Sequence, residues 1–294
     1  MILFVALLVD GALAGAIYAL IALAFVVVYK ASGVANFALG EWMMLGAGLV
    51  AAGVHAQRLD LTEAVLVACA GMTAFAFAFN RLVLRRLVGR PPIALIMVTL
   101  GLGSLIRGAV PLALGGVPGK VTLGLPPDPL MPYGLPIATE KLVAGVAAAV
   151  TIVLVTWFFN RSRVGLALRA MASDPQVAMA VGIDLQRYLT IAWAVAGVIA
   201  VIAGTLWSVV AGGGFGVVLV GLKVFPVVII GGLDSIPGTI VGAILIGVLE
   251  SLGTFYVDPL LGGGFGNVAS YLALIAMLFV RPFGLFGRAD VARV

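Results

Sequence analysis

The sequence predicts an all-α, polytopic integral membrane protein with about eight or nine transmembrane helices. Three observations lead there. Only 10% of the 294 residues are charged, where a soluble domain carries roughly 25%, and the mean hydropathy is +1.24. Apolar runs of about the 20 residues that a helix needs to cross the hydrocarbon core recur along the whole chain. The alternating segments of about ten residues that mark a membrane β-barrel are missing.

In order, the runs fall at 3–29, 37–54, 62–80, 92–114, 140–159, 188–211, 217–233, 237–253 and 267–280. The first opens with MILFVALLVDG, without Lys or Arg ahead of its apolar stretch, so it is expected to stay in the chain rather than be cleaved as a signal peptide. Between the first two runs, YKASGVANFALGEW (29–42) interrupts one long helix with Ser32, Gly33, Asn36 and Gly40. Asn36 can cap the second span, or the unwound stretch can offer backbone groups to an anionic moiety; both readings stand. The seventh and ninth runs are short, and the seventh carries Lys223 and Pro226, so a broken or re-entrant helix is the alternative there.

The loops set an orientation. Arg81, Arg85, Arg86 and Arg90 follow the third run, Arg161, Arg163, Arg169 and Arg187 the fifth, and Arg281, Arg288 and Arg293 the last. Basic loops stay cytoplasmic, which fits nine crossings with the N-terminus outside and the C-terminus inside. The same rule accounts for the net charge of +5, and no basic stripe with interleaved aromatics suggests nucleic acid. On the opposite side, HAQRLDLTE (55–63) mixes signs and the Pro/Gly-rich segment at about 115–138 has one Lys. That segment is either a docking surface or a plain connector. Its GGVPGKVT resembles a phosphate loop but has three residues between Gly115 and Gly119, and Val121 after Lys120, so it encodes no nucleotide site. The lone Cys69 allows no internal disulfide, and the lone His55 has no Cys or second His with which to hold a metal.

Two features suggest an inverted repeat. GALAGAIYALIALAF (11–25) loosely echoes GVIAVIAGTLW (197–207), and NFALGEWMMLGAGLVAAG (36–53) echoes GGLDSIPGTIVGAILIG (231–247). Gly11 with Gly15, and Gly238 with Gly242, have the spacing that lets helices approach closely. Asp10, Glu41, Arg107, Lys223 and Glu250 fall in or at the edge of spans, where a charge costs about 2.5–3.5 kcal/mol. Arg107 most needs a partner, for which Asp10 or Glu250 is expected. Asn36, Glu41 and Arg107 are the candidates for lining a pathway, with structural pairing the reading favoured over solute contact.

One stretch does not fit a simple bundle. GLALRAMASDPQVAMAVGIDLQR (165–187) contains Ser173-Asp174-Pro175, a stop-and-restart signal with Asp174 as N-cap, Pro175 at the first helical position and Gly182 past the end. Two short helices would let Leu166, Ala170 and Ala178 share a face. The stretch has too few apolar residues to cross a membrane and too few charges to float free. It suits a helix pair lying at the cytoplasmic surface and inserting into a groove on a soluble partner. A generic interfacial helix would carry a Lys/Arg face opposite a bulky apolar one.

RSRVGLALRAMASDPQVAMAVGID resembles the cytoplasmic coupling segment of inner-membrane permease subunits of ATP-binding-cassette importers, and is similar to the LivH-type branched-chain amino acid permeases. ALIALAFVVVYKASGVANFALGEWMMLGA, GLKVFPVVIIGGLDSIPGTIVGAILIGVLES and LIAMLFVRPFGLFGR extend the resemblance nearly end to end. It implies a single transmembrane permease domain over 1–294, with a coupling segment at about 161–187 in which Arg169, Ala170, Asp174, Pro175, Gln176, Ala178 and Gly182 contact an ATPase. It also implies a second, homologous permease subunit as heterodimer partner, two ATP-binding subunits that use ATP and Mg, and a periplasmic binding protein. The chain itself would bind no cofactor, catalyse nothing and sit in the bacterial inner membrane. Such coupling helices tend to read Glu-Ala-Ala; Gln176-Val177-Ala178 stands here, which puts the acidic contact in doubt. Alternative cargoes are urea, short amides or another amino acid. Rival readings are a proton- or sodium-driven transporter using Asp10, Glu41 and Arg107 as a relay, and a non-transporting scaffold.

Overall fold

The computed structural model describes residues 2–87, 90–116, 119–124, 128–131 and 136–287, so Arg288 and Arg293 lie outside the described residues. Among the described residues the regular structure is helical, and the extended pairing is one isolated bridge between Leu130 and Ile137. The helices are α1 (Ile2–Ser32), α2 (Leu39–His55), α3 (Leu61–Leu82), α4 (Pro92–Ala113), α5 (Thr139–Arg161), α6 (Arg163–Ser173), α7 (Pro175–Ala180), α8 (Leu185–Ala211), α9 (Phe215–Leu222), α10 (Val224–Gly231), α11 (Ile236–Tyr256), α12 (Asp258–Leu261) and α13 (Phe265–Val280).

Each apolar run read from the sequence is helix. Six helices among the described residues are long and apolar enough to cross a membrane, against the eight or nine expected. The shortfall comes from α2 with 17 residues, α13 with 16, and the α9–α10 pair, in which two eight-residue helices meet at Lys223. At 1.5 Å per residue, α2 reaches about 25 Å, short of a hydrocarbon core about 30 Å thick. The break at Lys223 has a local cause: Pro226 has no amide to give the carbonyl of Leu222.

The chain divides into two compact units. One comprises 1–26, 124–150 and 223–294, and the other 27–123 and 151–222. In the first, glycines decide the packing. A β-carbon on Gly11 would sit 2.6 Å from Cα of Val248, and one on Gly15 2.7 Å from Cα of Ile244, so α1 meets α11 backbone to backbone. Gly242 brings α11 equally close to α10, at 2.7 Å from the carbonyl oxygen of Val227. The C-terminal turn then closes over α10: the amides of Leu285 and Phe286 donate to the carbonyls of Ile230 and Gly231, at 2.8 and 3.2 Å. Those two carbonyls lie at a helix end, where the helix itself supplies no donor.

In the second unit α2, α3 and α8 pack together around aromatic rings. Trp42 lies 5.2 Å from Phe75 and 5.5 Å from Trp193, which in turn lies 5.4 Å from Phe79. Gly204 admits the carbonyl of Met43 to where its β-carbon would be, bringing α8 onto α2.

Candidate functional site

The segment from α6 to the start of α8 is built from local caps. Ser162 accepts the amide of Gly165 at 2.9 Å and starts α6. The Asp174 carboxylate accepts the amides of Gln176 and Val177 at 2.9 and 3.0 Å and starts α7, with Pro175 at its first position. Asp184 repeats the arrangement for α8, accepting from Gln186 and Arg187. Gly182 takes a φ of +88°, the left-handed turn between α7 and α8 that favours glycine. The break and restart read from Ser173-Asp174-Pro175 is therefore the observed geometry.

The side chains do not all point where the sequence suggested. Arg169 donates to the carbonyl of Phe159, against which Gly165 also packs, so its guanidinium ties α6 to the end of α5. Ala178 is buried at 2% exposure while Leu166 stands at 62%, so these two do not share a face, and Ala170 is half-buried. The exposed surface of α7 comes from Gln176, Val177 and Met179, continued by Val181 and Gly182, with Asp174 at its start. Val177, Met179 and Val181 were missed because a short apolar cluster in so apolar a chain has no contrast.

The intramembrane charges are paired, though not as expected. Arg107 on α4 bonds Glu41 on α2, rather than Asp10 or Glu250. Glu41 is buried at 5%, and Gly103 leaves room for its carboxylate. Asp10 on α1 instead takes Lys141 on α5 at 2.6 Å through Oδ1 and Ser251 on α11 at 3.3 Å through Oδ2. Glu250 on α11 accepts from Tyr18 on α1 at 2.7 Å and from Lys223 at 2.9 Å.

Asn36 is 1% exposed in the unwound stretch between α1 and α2. Its Oδ1 accepts the amide of Ala38 at 3.0 Å. Ala38, not Asn36, is the N-cap residue of α2, so Asn36 shapes the turn ahead of the helix. Its Nδ2 is buried with no hydrogen-bond partner. Nearby, Thr99 of α4 accepts the amide of Phe37 at 3.4 Å, so the turn leans on α4. Asn36, Glu41 and Arg107 thus belong to one unit, on or between α1, α2 and α4.

These features define a multi-pass helical membrane protein with paired charges inside its spans and a capped helix pair carrying an exposed apolar surface. Residues 7–281 match the family described as branched-chain amino acid transport system / permease component, and the chain belongs to that family. It is 29% identical over 304 residues to the high-affinity branched-chain amino acid transport system permease protein BraD of Pseudomonas aeruginosa, covering 98% of this chain and 97% of the relative. It is 27% identical over 307 residues to LivH of Escherichia coli K12, covering 97% and 96%. Among solved structures it resembles PsaBC from Streptococcus pneumoniae in complex with Fab. There the TM-score is 0.50 at 14% identity, over 93% of this chain and 91% of the other, a likeness of fold.

Proposed function

We propose that this chain is the membrane permease subunit of an ATP-binding-cassette importer that carries branched-chain amino acids across the bacterial inner membrane. The observation that carries the reading is the capped α6–α7 pair, placed within a chain whose family is that of branched-chain amino acid permeases. An ATP-driven bundle without a phosphate loop of its own takes its energy from a partner, and a short helix with an exposed apolar surface is suited to receive it. Two ATP-binding subunits then hydrolyse MgATP and move this segment, through Asp174, Gln176 and the apolar residues of α7. A second permease subunit completes the pathway, and a periplasmic binding protein selects and delivers the solute.

The full topology belongs to the same proposal: nine crossings including α2, the α9–α10 pair and α13, the N-terminus outside, the basic loops and C-terminus inside, and an inverted repeat relating the two halves. Asn36, Glu41 and Arg107 are assigned to the pathway wall, where the unpartnered Asn36 amide offers a donor.

The test is reconstitution with the partner subunits in proteoliposomes. Leucine uptake is expected to require ATP and loaded binding protein, and to persist when an uncoupler collapses the proton gradient. Uptake that continues without the ATPases and stops with the uncoupler would overturn the assignment in favour of an ion-driven carrier.

A further inference from the structure

We propose that Lys223, Glu250 and Tyr18 form an intramembrane binding station for a zwitterionic solute, with Lys223 taking the solute carboxylate and Glu250 its ammonium group. The inference rests on reading the chain as an amino acid permease. All three residues lie in the first unit, on α1, α11 and the α9–α10 break.

The first observation is convergence. The Glu250 Oε2 accepts from the Tyr18 hydroxyl at 2.7 Å and from Lys223 Nζ at 2.9 Å. Lys223 Nζ also reaches the Tyr18 hydroxyl at 3.2 Å and lies 5.3 Å from the centre of its ring. One carboxylate oxygen thus takes both donors.

The second observation is what remains. Glu250 Oε1 is buried without a hydrogen-bond partner. Buried acceptors are nearly always satisfied, and a charged one most of all. A second ion pair of this unit shows the contrast, because both oxygens of Asp10 are engaged, by Lys141 and by Ser251.

The third observation is access. The side chains of Lys223 and Glu250 remain 15% and 11% exposed, whereas Val227, Val228 and Ile246 on the same helices are wholly buried at 0%. The station also stands where Pro226 interrupts the helix, a place where backbone polar groups can be offered to a solute.

The chemistry is an exchange of ion pairs. The solute carboxylate replaces Glu250 at Lys223 while the solute ammonium takes Glu250, including its unpartnered Oε1. No proton moves, and no charge is left alone in a medium of low dielectric. The Tyr18 ring holds the lysine ammonium through the exchange by cation–π attraction. A monoamine or a simple acid satisfies one residue and strands the other, so the station selects for zwitterions.

The experiment uses the complete transporter in proteoliposomes and reads two quantities: uptake of radiolabelled leucine, and ATP hydrolysis stimulated by leucine-loaded binding protein. The main variant is the double substitution Lys223→Met with Glu250→Leu, since an apolar replacement of a whole buried pair is tolerated where loss of one partner is not. Expected is stimulated ATP hydrolysis within about twofold of wild type, with uptake lowered roughly tenfold or more. Uptake within about twofold of wild type would overturn the proposal, as would parallel loss of both activities, because either makes the pair purely structural. If the double variant fails to insert, Tyr18→Phe decides. It keeps the ring but removes the hydroxyl that positions Glu250 Oε2, so it is expected to raise the half-saturating leucine concentration several-fold at unchanged maximal ATP hydrolysis, and unaltered uptake kinetics would overturn the station. The wild-type complex separates this failure from failure of the functional reading. Transport of urea but of no amino acid overturns both. Transport of a different amino acid overturns only the branched-chain cargo, and the variants are then scored on that solute.

Discussion

At the scale of residues, the intramembrane charges are held by specific partners far along the chain. The Glu41–Arg107 pair is lopsided, because Glu41 is buried while the Arg107 side chain is 53% exposed. Removing one member therefore has unequal consequences. Arg107→Gln leaves a buried carboxylate alone, an event that costs about 3 kcal/mol in protein interiors. Glu41→Gln frees an arginine that can swing toward headgroups and water, so about 1 kcal/mol is expected. Thermal unfolding in detergent should place Arg107→Gln below Glu41→Gln; the reverse order would mean that the arginine, not the glutamate, depends on the pair. The α1–α11 glycines give a sharper expectation. Gly15→Leu places side-chain atoms inside the Ile244 backbone, so it should abolish monodisperse protein on gel filtration, while Gly101→Ala, with nothing within 4 Å of its β-carbon, should leave the elution profile unchanged.

At the scale of elements, α7 has six residues, too few to be stable alone, and depends on its cap and its neighbours. Asp174→Ala removes both cap bonds and should cost about 1 kcal/mol locally. Hydrogen exchange over 174–182 should accelerate about fivefold, while the spans keep their protection. In the reconstituted complex, Val177→Glu, on the exposed surface, should uncouple ATP hydrolysis from uptake without affecting insertion. Normal coupled uptake by that variant would remove α7 from the ATPase interface. Asp174-Pro175 was legible in the sequence because a cap acts over two or three residues. The burial of Ala178 was not legible, because it comes from how α7 folds back against α6, which a cap alone does not fix.

At the scale of the whole molecule, nine apolar runs gave nine helical regions, one of them broken, while six helices meet the length and hydropathy of a span. The single native cysteine makes orientation testable: in a Cys69→Ala background, cysteines placed at Gly119 and Arg163 lie on either side of α5 and should react with an impermeant maleimide from opposite faces. Labelling of both from one face would overturn α5 as a crossing. The C-terminal turn is a second test. Truncation after Val280 removes the donors to Ile230 and Gly231 and should lower the unfolding temperature by several degrees, if each bond contributes about 1 kcal/mol.

By itself, the sequence determined that this is a bundle of membrane helices, roughly where each helix runs, and where α6 stops and α7 restarts. Those are local matters: a helix in lipid must bond its own backbone over some 20 apolar residues, and a cap acts within one turn. Only the tertiary structure decided which charge meets which. Arg107 finds Glu41 at a separation of 66 residues, Lys141 finds Asp10 at 131 and Tyr18 finds Glu250 at 232. The apolar runs place Asp10, Glu41, Arg107 and Glu250 in or at the edge of spans, but any acid could in principle answer any base. For Tyr18 and Glu250 the choice follows from backbone approach of α1 to α11 at Gly11 and Gly15, which a residue pattern read along one helix does not reveal.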